Sequence, residues 1–121
     1  MHLMIFIQIA KPNWFERWMI ILAQFLFWHF YMILYIFFPK VAHRMVGYFE
    51  EQAVISYTEY LKEIDEGRAE NIPAPTIAKK YYALNEDAKL RDVVIAVRED
   101  ERGHAQVNHN MADILKRAKN K

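Results

Sequence analysis

One helical face dominates the C-terminal third of this chain. From Leu90 a spacing of four, three, four, three runs through Val94, Val97, Glu101, His104, Asn108, Met111 and Leu115. A repeat of that kind marks a helix that buries one stripe against neighbouring helices, which constrains the chain to a helical bundle. The stripe is largely apolar, yet it carries a carboxylate and an imidazole one turn apart. Burying an unpaired charge costs several kcal/mol, so Glu101 and His104 require a compensating partner. A buried Lys or Arg would serve, and so would a metal ion.

A second stripe bears on that choice. In HRMVGYFEEQAVISYTEYL one register aligns Val46, Glu50, Ala53, Tyr57, Leu61 and Ile64, leaving Glu51, Lys62 and Glu63 off the line. Glu50 is therefore a second acidic group on an apolar face, unless the register is shifted by one residue and Glu50 is exposed beside Glu51. A third fragment opens the chain: His2 precedes the apolar run Leu3 to Ile9 with no cap or turn residue ahead of it. Di-iron carboxylate bundles take their ligands from Glu-x-x-His pairs on two helices and single glutamates on two others. Glu50, Glu101, His104 and His2 are candidate ligands in that pattern.

Composition narrows the chemistry. The chain has 121 residues, enough for one domain at most, and is 54% hydrophobic and 15% aromatic. A formal charge of +1 points to no nucleic-acid partner. With no cysteine, a metal must be held by Glu, Asp and His, an oxygen-rich set that suits iron or manganese better than structural zinc. Three glycines leave little material for a phosphate-binding loop, and no nucleotide or hydrolase motif occurs.

Along the chain, residues 1–9 read as a helix or apolar arm stopped at Lys11-Pro12-Asn13. Asn13 with Glu16 forms a capping-box pattern. The helix it opens runs to about Phe38 and has no charged residue between Arg17 and Lys40. By length and hydropathy it passes as a transmembrane helix, and composition alone favours that reading. It could also be a buried bundle helix, or lie half in lipid with one side, marked by Gln24 and His29, against protein. The next helix runs from about Pro39 to Glu66, with Gly67 as C-cap. IPAP at 72–75 is a turn, and Thr76 to Leu84 a short helix bearing Tyr81 and Tyr82. Asn85 is expected to cap the last helix, with Glu86 and Asp87 in its first turn. Lys116, Arg117, Lys119 and Lys121 close that helix with the complementary sign.

These motifs resemble those of the alternative oxidases, the non-haem di-iron quinol oxidases of respiratory membranes. MHLM is similar to the end of the family's NERMHLM, and HRMVGYFEEQAVISYTEYL to its LEEEA segment. NIPAPTIAKKYY resembles the following turn and aromatic pair, and LRDVVIAVREDERGHAQVNHNMAD the RADEAHH-x-x-VNH segment. HRMVGY and PAP look like the mitochondrial and bacterial type rather than the plastid one. The resemblance implies an all-α fold, part of a ferritin-like di-iron four-helix bundle. Residues 1–121 would be the C-terminal portion of a single oxidase domain, with the N-terminal helices missing.

The resemblance also implies roles. Glu50, Glu101, His104 and His2 match residues around two iron ions, the histidines being ligands or hydrogen-bond partners of ligands. Tyr57 matches a tyrosine used in electron transfer, and Ala53 and Ser56 match positions near the quinol pocket. Asp100 matches an acid expected to form an ion pair inside the bundle. Gln52 departs from LEEEA, and Arg102-Gly103 from the Ala-His before the retained histidine. The function implied is a ubiquinol oxidase that passes electrons from quinol to dioxygen, forming water without proton pumping. Its partners would be ubiquinol, dioxygen and membrane lipid, with room for a homodimer of the full-length protein. Its place would be monotopic in the bacterial or mitochondrial inner membrane. With two of four carboxylates in the sequence, the chain alone is expected to be inactive. The rival readings are a catalytically inactive, membrane-associated helical fragment and a related di-iron hydroxylase or ferritin-like protein.

Overall fold

A computed structural model describes residues 1–119, the side chain of Lys119 excepted, so the expectation placed on Lys121 lies outside the described residues. The elements are α1 (His2–Ala10), α2 (Trp14–Phe37), α3 (Pro39–Asp65), α4 (Thr76–Tyr81) and α5 (Leu90–Lys119). An isolated bridge pairs Pro73 with Lys89. The expected all-α architecture holds across the described residues. They divide into two compact units, Met1–Lys11 with Glu51–Gly103, and Pro12–Glu50 with the described residues from His104 onward. Helices α3 and α5 each contribute one half to either unit.

In the first unit the stripe of α5 does what its spacing requires. Leu90, Val94 and Val97 are buried, and Val93 beside them widens the apolar face. Leu61 and Ile64 of α3 pack with Leu90 and Val94, while Ile5 of α1, Ala74, Ala78 and Ala88 pack with Val93 and Val97. Tyr57 and Ile9 touch both clusters. Each such aliphatic side chain contributes about 1.5–3 kcal/mol on burial.

Gly67 adopts φ 76 beyond α3, and the amides of Arg68 and Ala69 return to the Glu63 carbonyl at 2.9 and 3.0 Å. Left-handed backbone carries no Cβ penalty at glycine, which is why the expected cap works. The start of α5 differs from expectation. Ala83 takes φ 50, ending α4 at Tyr81, and the amides of Ala74 and Leu90 donate to the Ala88 and Ile72 carbonyls. That pairing holds residues 88–90 against the IPAP turn, so the helix cannot begin at Asn85. It begins at Leu90, where the Asp92 carboxylate accepts the Lys89 amide at 2.9 Å, and Asp92 supplies the first-turn charge in place of Glu86 and Asp87.

In the second unit the Asn13–Glu16 capping box opens α2: Glu16 N donates to Asn13 Oδ1 at 2.9 Å and Asn13 N to Glu16 Oε2 at 2.8 Å. No residue of α2 is buried, and the helix is long and apolar enough to cross a membrane. His29, expected to mark a protein-facing side, has its Nδ1 2.7 Å from the Phe25 carbonyl of its own helix. The stripe of α5 shifts here. His104 and Met111 are exposed, and the buried positions are Ala105 and Ala112. In this unit the buried positions thus fall one residue after the heptad positions 104 and 111.

Candidate metal centre

The first unit gathers a polar cluster on its apolar core. Asp100 and Glu101 are consecutive on α5, and His2 at the start of α1 reaches both: Nδ1 lies 2.8 Å from Glu101 Oε1 and Nε2 3.2 Å from Asp100 Oδ2. The Tyr82 hydroxyl donates to Asp100 Oδ2 at 2.8 Å. Burial, then this hydrogen bond to a carboxylate, raises the Tyr82 pKa well above its ordinary value. Tyr57 stacks on Phe6 with ring centroids 5.8 Å apart, and its phenol is raised by burial and then by the charge of Glu101. Both ring nitrogens of His2 thus lie within hydrogen-bond distance of a carboxylate oxygen.

The second unit carries the other candidates. Glu50 on α3 is half-buried, whereas Glu51 beside it is exposed, as the register predicts. The Glu50 carboxylate and the His104 imidazole offer ligand atoms within 4.8 Å of each other. Asn108, one turn beyond His104, donates from Nδ2 to Glu50 Oε2 at 3.0 Å and to the His104 carbonyl at 3.2 Å. Its Oδ1 lies 2.9 Å from His43 Nδ1. Tyr31 of α2 is raised by burial, then by Tyr35 and by the charge of Glu50. A carboxylate and an imidazole at this separation form an oxygen and nitrogen donor pair of the kind iron accepts, and Glu101 stands one turn before His104 on α5.

Ala53 is half-buried and Ser56 exposed on α3. Asp100, expected to form an ion pair, has its Oδ2 3.2 Å from His2 Nε2 and accepts the Tyr82 hydroxyl at the same oxygen. Sequence reasoning assigned no role to Tyr82, His43 or Asn108. Asn108 carried a usable signal, a polar residue on the same stripe as Glu101 and His104. Tyr82 and His43 carried none, since their partners lie 18 and 65 residues away.

Residues 1–113 match the family model described as alternative oxidase. The chain is 57% identical over 114 residues to ubiquinol oxidase 1c, mitochondrial, of Arabidopsis thaliana, covering 94% of this chain and 35% of that protein. It is 54% identical to ubiquinol oxidase 2, mitochondrial, of Nicotiana tabacum, covering 94% of this chain and 38% of the relative. A fungal relative, the mitochondrial ubiquinol oxidase of Batrachochytrium dendrobatidis, is 51% identical over 113 residues, 93% of this chain and 36% of its own length. The chain thus spans about a third of the length of the curated relatives it matches.

Proposed function

Because this chain belongs to the alternative oxidase family, we propose that it is the iron-ligating C-terminal part of a ubiquinol oxidase that reduces dioxygen to water. The observation that carries the reading is the Glu50–His104 donor pair on α3 and α5, with Glu101 one turn away on α5. Glu50, Glu101 and His104 would hold two irons together with carboxylates from the part of the relatives that the match does not cover. When bound, the irons supply the redox chemistry that takes electrons from quinol to dioxygen. His2 aligns Glu101, and Asp100 is held by His2 and Tyr82, so the carboxylate geometry is set before metal arrives. Tyr57, whose phenol is raised by burial and by Glu101, would hold its proton and pass an electron. Ala53 and Ser56, on the same helix, line one wall of the quinol pocket.

The mitochondrial inner membrane is the proposed location, with α2 lying in one leaflet. The second-unit half of α3 and the exposed, uncharged face of α2 supply apolar surface for lipid. Spanning is disfavoured because Glu59, Lys62, Glu63, Arg91, Asp92 and Arg98 on the metal-bearing helices would be costly in hydrocarbon.

The test joins this chain to the N-terminal part of a curated relative and expresses it in cells lacking other terminal oxidases. Cyanide-resistant oxygen consumption, lost in Glu50→Ala and Glu101→Ala, is the expected result. A folded chimaera that binds iron but consumes no oxygen would overturn the oxidase reading and favour a catalytically inactive helical fragment.

A further inference from the structure

The hydrogen-bond chain His43–Asn108–Glu50 has a direction dictated by chemistry. An ionised carboxylate only accepts, so the Asn108 Nδ2 amide group must face Glu50 Oε2, at 3.0 Å. Its second N–H reaches the His104 carbonyl at 3.2 Å, on the same turn of α5. Asn108 Oδ1 then faces His43, whose Nδ1 must be the donor across 2.9 Å. The ring of Tyr35 meets the His43 ring edge-on, with centroids 5.5 Å apart, and limits its rotation. Three helices of the second unit therefore converge on one oxygen of Glu50: α2 through Tyr35, α3 through His43 and α5 through Asn108.

We infer that Asn108 and His43 are positioning residues that fix which Glu50 oxygen is presented to the metal. The inference rests on the reading of Glu50 as an iron ligand. An amide held at both ends cannot swing, so Oε2 stays engaged and the other oxygen keeps one orientation for ligation. His43 acts only through Asn108: without its Nδ1 donor one end of the amide is released, and the amide can rotate away from Glu50. Outer-shell partners of this kind are worth about 10–100-fold in metal affinity.

Co(II) is the probe, added to the chimaera with a relative's N-terminal part, because its visible ligand-field bands report coordination geometry without turnover. Asn108→Ala and His43→Leu should each weaken Co(II) binding about tenfold and shift those bands. His43→Asn places an N–H donor where Nδ1 stood, and should restore affinity to within about twofold together with the native spectrum. A merely structural role would not be rescued in this pattern. Native affinity and an unshifted spectrum in Asn108→Ala, while Glu50→Gln loses binding, would overturn the positioning role and leave the ligand assignment standing. Unchanged binding in Glu50→Gln, or none in the unaltered chimaera, would overturn the ligand reading and this inference with it.

Discussion

Gly47 of α3 lies beneath the imidazole of His109 on α5: a Cβ at Gly47 would stand 2.7 Å from His109 Cε1 and 2.8 Å from each ring nitrogen. The ring cannot easily retreat. Arg44 Nη1 is 2.9 Å from His109 Nδ1, Tyr48 contacts the ring edge-on at a centroid distance of 5.0 Å, and Arg44 is itself paired with Asp113. The helices of the second unit approach closely here because one residue has no side chain.

Gly47→Ala should therefore destabilise the protein by about 1–3 kcal/mol, the usual cost of overpacking a filled contact. Gly103→Ala should do the opposite. Nothing lies within 4 Å of a Cβ at Gly103 and its backbone is helical, so alanine should add up to about 1 kcal/mol. Thermal unfolding followed by circular dichroism would check both, and shifts of the same sign would contradict the contact geometry.

Tyr82 makes a prediction at high pH. Its folded pKa is raised above 10.0, by burial first and by its bond to Asp100 second. Its contribution to stability is therefore complete below about pH 10 and is lost as pH rises through the folded value. Phenolate absorbance should show a late-titrating tyrosine that disappears in Tyr82→Phe. Loss in the variant of an ordinary component near pH 10, with the late-titrating one retained, would mean that the Tyr82–Asp100 bond does not form in solution.

In the chimaera with a relative's N-terminal part, Glu50→Ala and Glu101→Ala should each abolish iron loading, measured by metal analysis of purified protein. Glu51→Ala should leave loading within about twofold, since an exposed neighbour that ligates nothing has little leverage on affinity. Equal loss from Glu51→Ala would show that the wrong carboxylate is assigned.

The membrane reading predicts that both ends of α2 lie on one side. The chain has no cysteine, so single cysteines at Asn13 and Lys40 report cleanly. Both should react with a membrane-impermeant maleimide from the same face of sealed vesicles. Labelling from opposite faces would make α2 a spanning helix.

Local rules written into neighbouring residues carried most of the fold. The Asn13–Glu16 box, the glycine after α3, the apolar stripe Leu90–Val94–Val97 and the exposure of Glu51 against half-buried Glu50 all follow from spacing within a turn or two. The candidate ligands were legible for a related reason, since Glu50, Glu101 and His104 interrupt stripes that are otherwise apolar, whereas the family was legible through motifs such as HRMVGY, PAP and VNH. Packing between distant segments settled the rest. The start of α5 moved from Asn85 to Leu90 because residues 88–90 pair with the turn at 72–74, a contact that helix propensity does not register. Burial beyond Glu101 falls on Ala105 and Ala112, one residue after the expected stripe, a choice made by packing within the second unit. The partners of the acids, His2 for Glu101, Tyr82 for Asp100 and Asn108 with His43 for Glu50, became visible only once the helices were side by side. A hydrogen bond between residues 58 or 99 positions apart is fixed by helix placement, not by any local preference of the residues that make it.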